Sequence, residues 1–566
     1  MPARTLAGAR ARRARRQGAV RRDLPAGGPA PRRRGERLSP AADPGRRSRA
    51  ARAVQRRHPG QGLQSRGRAA DEGRARPGRA DRLHPRPGRR GDPMRSAQPA
   101  GFPRGFARAP SRPRDDRFDI AVPATEQRAI AAGWLLLGVA ALIGAGVFSI
   151  LLVLARTPFF ASLVPAGDFF RVALVVHVDL SVLVWFVSMA GMLWTIDTSP
   201  RLLWLGWVAL FAAALGTAFM ALAPFTGAAA PVMSNYVPVL ENDAFLYGLV
   251  VLGAGFLLLT LRSFAAPARM SLQLDGSDAL RFGLKAAAVS SAVALMAMVW
   301  SIVEVPRELD AATYYELLFW GPGHVIQFTW TLLMLVAWAW LATLTGSPLP
   351  LSPRVVVLIY AIGLVSVFFA PLIYLNWTVP SVEYRKMMTW LMRFGGGLAI
   401  LPMVLALAVA LVRRVASTPA TRPLRASLIT SLLLFSAGGV IGFLIQGSDV
   451  RVPAHYHGSI VGVTLALMGL AYALLPRLGF REATGRIANW QPWLYGGGQL
   501  LHILGLMWSG GYGVQRKVAG AEQTLRTTQE VFGMGLMGFG GLLAIVGGIL
   551  FVWVVLDSVI AARRAR

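Results

Sequence analysis

From about residue 129 onward, apolar residues run in stretches of roughly twenty, broken by short segments rich in Arg, Gly, Pro and Asp. A stretch of that length, rising about 1.5 Å per residue as a helix, crosses the hydrocarbon core of a bilayer. The helix also satisfies its own backbone hydrogen bonds, which lipid cannot do. Twelve spans are predicted: 129–154, 169–196, 201–222, 240–262, 281–303, 317–343, 353–376, 386–412, 424–446, 454–476, 490–511 and 531–560. The predicted fold is therefore an all-α polytopic membrane bundle of twelve transmembrane helices, with the lipid bilayer as its first partner. Residues 1–117 show no such pattern, so the chain divides into 1–117 and 118–566.

Charge sharpens that division. The chain carries a net +32, yet 54% of its residues are hydrophobic and its mean hydropathy is +0.46. Residues 1–117 hold 33 Arg, no Lys and nine acids, which is +24 of the total. Built from Arg, Ala, Gly, Pro and Asp, this segment cannot bury enough apolar surface to offset its chain entropy, and disorder is predicted. One reading is an arm for nucleic acid or anionic lipid. The arginines lack periodicity and interleaved aromatics, so no nucleic-acid partner is expected. The favoured reading is a start codon placed too early, with Met94 as the later start. Zero cysteines exclude disulfides, thiolate-bound zinc, iron–sulfur clusters and a cysteine nucleophile.

Basic residues concentrate in the loops after even-numbered spans, among them Arg262, Arg269, Arg413, Arg414, Arg422, Arg425, Arg477, Arg481 and Arg486. By the positive-inside rule both termini are cytoplasmic, and even-numbered spans enter from the outer face. Five histidines lie in the membrane body: His177, His324, His455, His457 and His502. The first four sit early in spans 2, 6 and 10, hence at a shared depth toward the outer face. Polar groups at such positions are costly and default to function. His455 and His457 stand two residues apart, about 200° around a helix, so they cannot grip one metal ion together. They can hold two planar cofactors on opposite sides, and imidazole is the common axial ligand of haem iron. With one histidine on span 2, the pattern suggests one haem with two axial histidines and one with a single histidine.

At these residues the chain resembles subunit I of the haem-copper oxidases. His177 within HVDLSVLVWF, His324 within GPGHVIQFTW, and HYHGSIVGVTLALMGLAYALLPRLG are most similar to cbb-type cytochrome c oxidases and nitric oxide reductases. The resemblance covers roughly 129–560. It implies that His177 and His457 ligate a low-spin b-type haem and that His455 is the proximal ligand of a high-spin b-type haem. It also implies that His324 faces that haem's distal side as the catalytic residue and a copper ligand. Arg516 and Lys517 are implied to bind haem propionates, a role that charge complementarity supports. The implied function is a terminal oxidoreductase reducing O2 or NO. It sits in a bacterial inner membrane, with a cytochrome c-type or quinol donor acting through separate subunits.

The pattern breaks in span 7, RVVVLIYAIGLVSVFFAPLIYLNWTVPS, where the family's histidine pair is missing. Tyr374 and Asn376 occupy roughly that region, and neither is a neutral-nitrogen copper ligand. Gln327 stands where nitric oxide reductases present a glutamate. A degenerate copper site is therefore expected. His502 reads as a satisfied core histidine or as a replacement metal ligand. Asp179, two residues past His177, serves protons or a cation, or caps a helix end. The glycine-rich runs at 395–397 and 533–541 read as close helix packing. Two alternatives stay open: a copper-free dihaem protein for electron transfer, gas sensing or assembly, and a transporter of six-plus-six design.

Overall fold

The computed structural model describes residues 116–123, 125–160, 167–227, 229–271, 273–413, 416–518 and 523–565. The expectations for residues 1–115, disorder and the alternative start at Met94, lie outside the described residues. Twelve long helices follow: α1 Glu126–Arg156, α2 Phe170–Asp197, α3 Leu203–Phe225, α4 Asp243–Ala265, α5 Gly276–Glu304 and α6 Ala311–Leu344. Then come α7 Pro353–Asn376, α8 Val382–Val412, α9 Thr421–Phe443, α10 Arg451–Leu474, α11 Arg486–Gly511 and α12 Thr528–Arg564. Each predicted span is a helix. Eleven are long and apolar enough to cross a membrane; α11 has the length, 26 residues, but is less apolar. The cause is Arg486, Asn489, Gln491, Gln499 and His502 within it.

Several starts are set by side-chain caps. Asn242, Asp310, Ser381 and Thr527 each accept a hydrogen bond from the backbone N–H three residues on. The Asp310 cap explains why α6 begins at Ala311 rather than at 317. Small residues set the closest helix contacts. A Cβ at Gly498 or Gly505 on α11 would strike the backbone of α12, and one at Gly216 or Gly255 would strike across the α3–α4 pair. The run at 533–541 behaves as expected at Gly533, Gly538, Gly540 and Gly541, whereas Gly535 faces open space. Gly397 also has nothing within reach, so that run is only partly a packing motif.

Three of the four helices that carry the histidines, α2, α6 and α10, are the most enclosed. Burial within the protein reaches 83% for α6 and 78% for α10, with α2 at 61%, against 28% for α1. At the far ends of α6 and α10 a segment upstream of α1 ties the two together. Phe118 and Ile120 are buried, and the Phe118 N–H donates to Thr343 Oγ1 (3.3 Å). Asp119 accepts from Trp340 Nε1 (2.7 Å) and pairs with Arg477. On the histidine side, the α3–α4 connection forms a two-stranded antiparallel hairpin, β1 Ala230–Val232 and β2 Val239–Glu241.

Candidate functional site

Four of the five membrane histidines share one hydrogen-bonding arrangement. His177 Nδ1 meets Ala145 O (2.9 Å), His455 Nδ1 meets Gly438 O (2.7 Å), His457 Nδ1 meets Pro453 O (2.9 Å) and His502 Nδ1 meets Met537 O (3.0 Å). A carbonyl only accepts, so each Nδ1 carries the proton, and each Nε2 keeps a lone pair with no hydrogen-bond partner among the described residues. That is how a metal-ligating imidazole is oriented. His457 and His502 stand with ring centroids 4.9 Å apart, and His177 lies within electrostatic range of both. His455 is turned the other way, against α9, where the absence of a Cβ at Gly442 makes room for its ring.

His324 is different. Its Nδ1 donates to Trp320 O (2.6 Å), and its Nε2 meets the Tyr236 hydroxyl (2.9 Å). With Nδ1 protonated, Nε2 can only accept, so Tyr236 donates. Burial raises the Tyr236 pKa, which keeps the phenol protonated for that purpose. Tyr236 sits in the β1–β2 turn, and its ring lies against α6 where a Cβ on Gly323 would collide with it. A Cβ on Gly321 would strike the hydroxyls of Tyr374 and Tyr384. The two glycines flanking Pro322 thus make a waist in α6 that three tyrosine rings close upon.

The region of the missing histidine pair holds no substitute donor set. Tyr374 is buried, with its hydroxyl on Ser301 Oγ (2.8 Å) and donating to Ala297 O (3.1 Å), and Trp300 stacks on its ring. Asn376 is exposed and bonds back to Leu372 O (2.7 Å). Among the described residues no group of three or more His, Asp or Glu side chains is arranged to hold a metal ion.

Three cations lie on the histidine side of the bundle. Arg516 donates to Ser448 Oγ (3.1 Å) and Asn235 Oδ1 (3.2 Å), and Lys517 Nζ donates to Met233 O (2.5 Å). Arg156, the last residue of α1, donates to Gln523 Oε1 and Gln515 O (3.2 Å each) and lies in electrostatic range of His457, His502 and Tyr456. Among the described residues none of these three cations is ion-paired with a carboxylate. Glu316 lies in electrostatic range of Lys517 but directs its oxygens to Asn235. Burial, and then the Arg516 guanidinium, press the Lys517 pKa down. A neighbouring anion would reverse that. The donor set therefore fits a haem: imidazoles with free Nε2 atoms, and unneutralised cations at the edge for its carboxylates.

His177, His455, His457, Arg516 and Lys517 were singled out from the sequence, whereas Arg156 and Tyr236 were not. Arg156 looks like an ordinary helix-end charge, and Tyr236 reaches its partner across 88 residues through a turn that has no motif. His502 is buried, its Nδ1 is on Met537 O, and its ring lies against His457. Asp179 caps no helix end. It is buried, neither oxygen has a hydrogen-bond partner among the described residues, and it opens a six-residue π-helical segment, 179–184. Such segments recur at functional sites.

In class, this is a haem-copper oxidase fold. A structure of a haem-copper terminal oxidase dimer, solved by cryo-EM, matches over 78% of this chain and 84% of its own, with a TM-score of 0.60 at 16% identity. At that identity the likeness is one of fold. Residues 129–550 match the family model of cytochrome c and quinol oxidase polypeptide I, and the chain belongs to that family as an integral membrane protein. It is also similar to the uncharacterized protein RP382 of Rickettsia prowazekii, 29% identical over 76% of this chain and 96% of that one. An uncharacterized protein of Aquifex aeolicus is 27% identical over 63% of this chain and 88% of its own.

Proposed function

We propose that this chain is the haem-bearing core of a membrane oxidoreductase that passes electrons through a bis-histidine haem to a second, gas-binding haem. His177 and His457 hold the low-spin haem, and His455 is the single ligand of the high-spin one. Arg516, Lys517 and Arg156 neutralise carboxylate substituents, and His502 forms part of the wall beside His457. The haems, when bound, supply the redox chemistry and an open coordination position for O2 or NO. The chain's own part is to fix imidazole tautomers through Ala145, Gly438 and Pro453, and to exclude water from the bundle interior. Electrons come from a cytochrome c-type or quinol donor through separate subunits. The membrane is a bacterial inner membrane, with both termini cytoplasmic and the histidine side outward.

The observation that carries this reading is the contrast in hydrogen bonding: among the described residues Nε2 has no hydrogen-bond partner on His177, His455 and His457, whereas on His324 it is taken by Tyr236. Copper does not fit the donors at His324, since one imidazole with no free lone pair and no second histidine cannot hold it. That supports a second reading in the same family, a copper-free dihaem protein for electron transfer, gas sensing or assembly. A reduced-minus-oxidised spectrum with carbon monoxide addition tests the haem assignment. We expect a b-type spectrum that shifts with carbon monoxide and much less than one copper per chain. No haem spectrum would overturn the proposal; stoichiometric copper with fast oxygen consumption would return the chain to the ordinary copper-containing oxidases.

A further inference from the structure

We infer that His324 is a latch: through Tyr236 it seats the 233–236 turn, and that turn in turn positions Arg516 and Lys517. The proposal rests on the assignment of those two cations to a haem edge, and it gives His324 a role other than metal ligation.

The turn grips α6 along one face. Asn235 donates its backbone N–H to Glu316 Oε2 (2.9 Å) and its side-chain amide to Glu316 Oε1. The Tyr236 ring meets Trp320 edge-on (centroids 6.0 Å, 85°) and covers Gly323, while its hydroxyl reaches His324 and lies beside Gln327. Positions 316, 320, 323/324 and 327 recur every three or four residues, so they form one stripe of roughly three turns. His324 is the deep anchor of that stripe, with both ring nitrogens engaged and neither free for a metal.

The other side of the same turn faces the connection between α11 and α12. Met233 O accepts from Lys517 Nζ, and Asn235 Oδ1 accepts from Arg516 Nη1. Lys517 has φ +64°, a left-handed conformation that a residue with a Cβ rarely adopts. Its ammonium is thus directed by the backbone at one end and by Met233 at the other. A turn of four residues held to α6 on one side and to both cations on the other transmits the position of α6 to the cations. If Tyr236 lets go of His324, the turn keeps only its Glu316 grip on α6, and the acceptors of both cations, Met233 O and Asn235 Oδ1, are held less firmly.

Two measurements on the full-length purified protein test this. The first is hydrogen exchange of backbone amides in wild type, Tyr236→Phe, His324→Leu and His324→Gln. Tyr236→Phe keeps the ring and removes only the donor. Glutamine places an acceptor near the position of Nε2. We expect Tyr236→Phe and His324→Leu to speed exchange by about fivefold or more, both at 233–236 and at 514–518, the segment that Met233 O and Asn235 Oδ1 hold through Lys517 and Arg516. His324→Gln should restore most of the protection. Unchanged exchange at 514–518 in Tyr236→Phe overturns the latch, whatever the haem content. The second is the midpoint potential of the low-spin haem. It should fall in Tyr236→Phe and His324→Leu, because loosened cations neutralise carboxylates less well, and it should not fall further when Tyr236→Phe is added to an Arg516→Leu, Lys517→Leu background. An additive fall overturns the latch. Stoichiometric copper in wild type that is lost in both His324→Leu and His324→Gln overturns it as well. A low-spin haem missing from wild type refutes the haem assignment on its own, while the exchange result still decides the latch.

Discussion

Replacing Asp119 with alanine tests whether the segment before α1 holds the far ends of α6 and α10, the two helices that carry His324, His455 and His457. Asp119 Oδ1 accepts from Trp340 Nε1 (2.7 Å), and both carboxylate oxygens pair with Arg477 (2.5 and 3.0 Å). The ion pair is partly solvated, with side chains 28% and 33% exposed, so its loss costs only about 0.5–1 kcal/mol. The Trp340 ring is fully buried, and leaving its N–H without an acceptor costs about 1–3 kcal/mol. The Ala variant should therefore lose about 1.5–4 kcal/mol, and Asp119→Asn, which retains an oxygen for Trp340, about 1 kcal/mol or less. Apparent unfolding temperature in detergent should rank wild type, then Asn, then Ala. Burial pushes the Asp119 pKa up, but Arg477 and the Trp340 hydrogen bond outweigh it, so the folded value is lowered. A depressed carboxylate stabilises fully above its unfolded pKa of about 3.9 and loses that stabilisation as pH falls through the folded value. The wild-type advantage over Asn should accordingly close in acid. An Ala variant as stable as wild type, or an Asn variant as damaged as Ala, would refute this account of the tie.

Expression from Met94 should leave membrane insertion and haem content unchanged, since it keeps Phe118, Asp119 and Ile120; extending the deletion through residue 123 should lower the yield of folded protein in the membrane. Gly505→Leu drives a side chain into the α12 backbone and should lower the unfolding temperature sharply, at a cost of about 1–3 kcal/mol or more, whereas Gly535→Leu, with open space around it, should not. Arg156→Leu removes a positive charge beside the His457 group, so it should lower the low-spin haem potential while haem stays bound; an unchanged potential in a redox titration would remove Arg156 from the site.

The spans were legible because lipid leaves a hydrophobic stretch few alternatives to a helix. Their ends were less so, since Asp310 extends α6 by a capping bond that periodicity does not reveal. The two-residue spacing of His455 and His457 gave their opposite directions from helix geometry alone. What His324 does was not legible, because the group occupying its Nε2 arrives from a hairpin turn. The same holds for Asp119: its partners Trp340 and Arg477 lie 221 and 358 residues away, and nothing local marks it. His502 shows the limit from the other side. Its burial was expected, but which neighbour it would meet depends on how α10, α11 and α12 pack, and glycines at 498, 505 and 540 bring the α11 and α12 backbones together.

The central claim is that His177 and His457 are a pair of axial ligands. The most direct measurement is low-temperature electron paramagnetic resonance, with near-infrared magnetic circular dichroism, on the oxidised wild type and on His177→Ala, His457→Ala and His455→Ala. The expected result is a bis-imidazole low-spin ferric signal that disappears in His177→Ala and in His457→Ala. It persists in His455→Ala, which instead loses carbon monoxide binding. A bis-imidazole signal unchanged in either His177→Ala or His457→Ala would contradict the account.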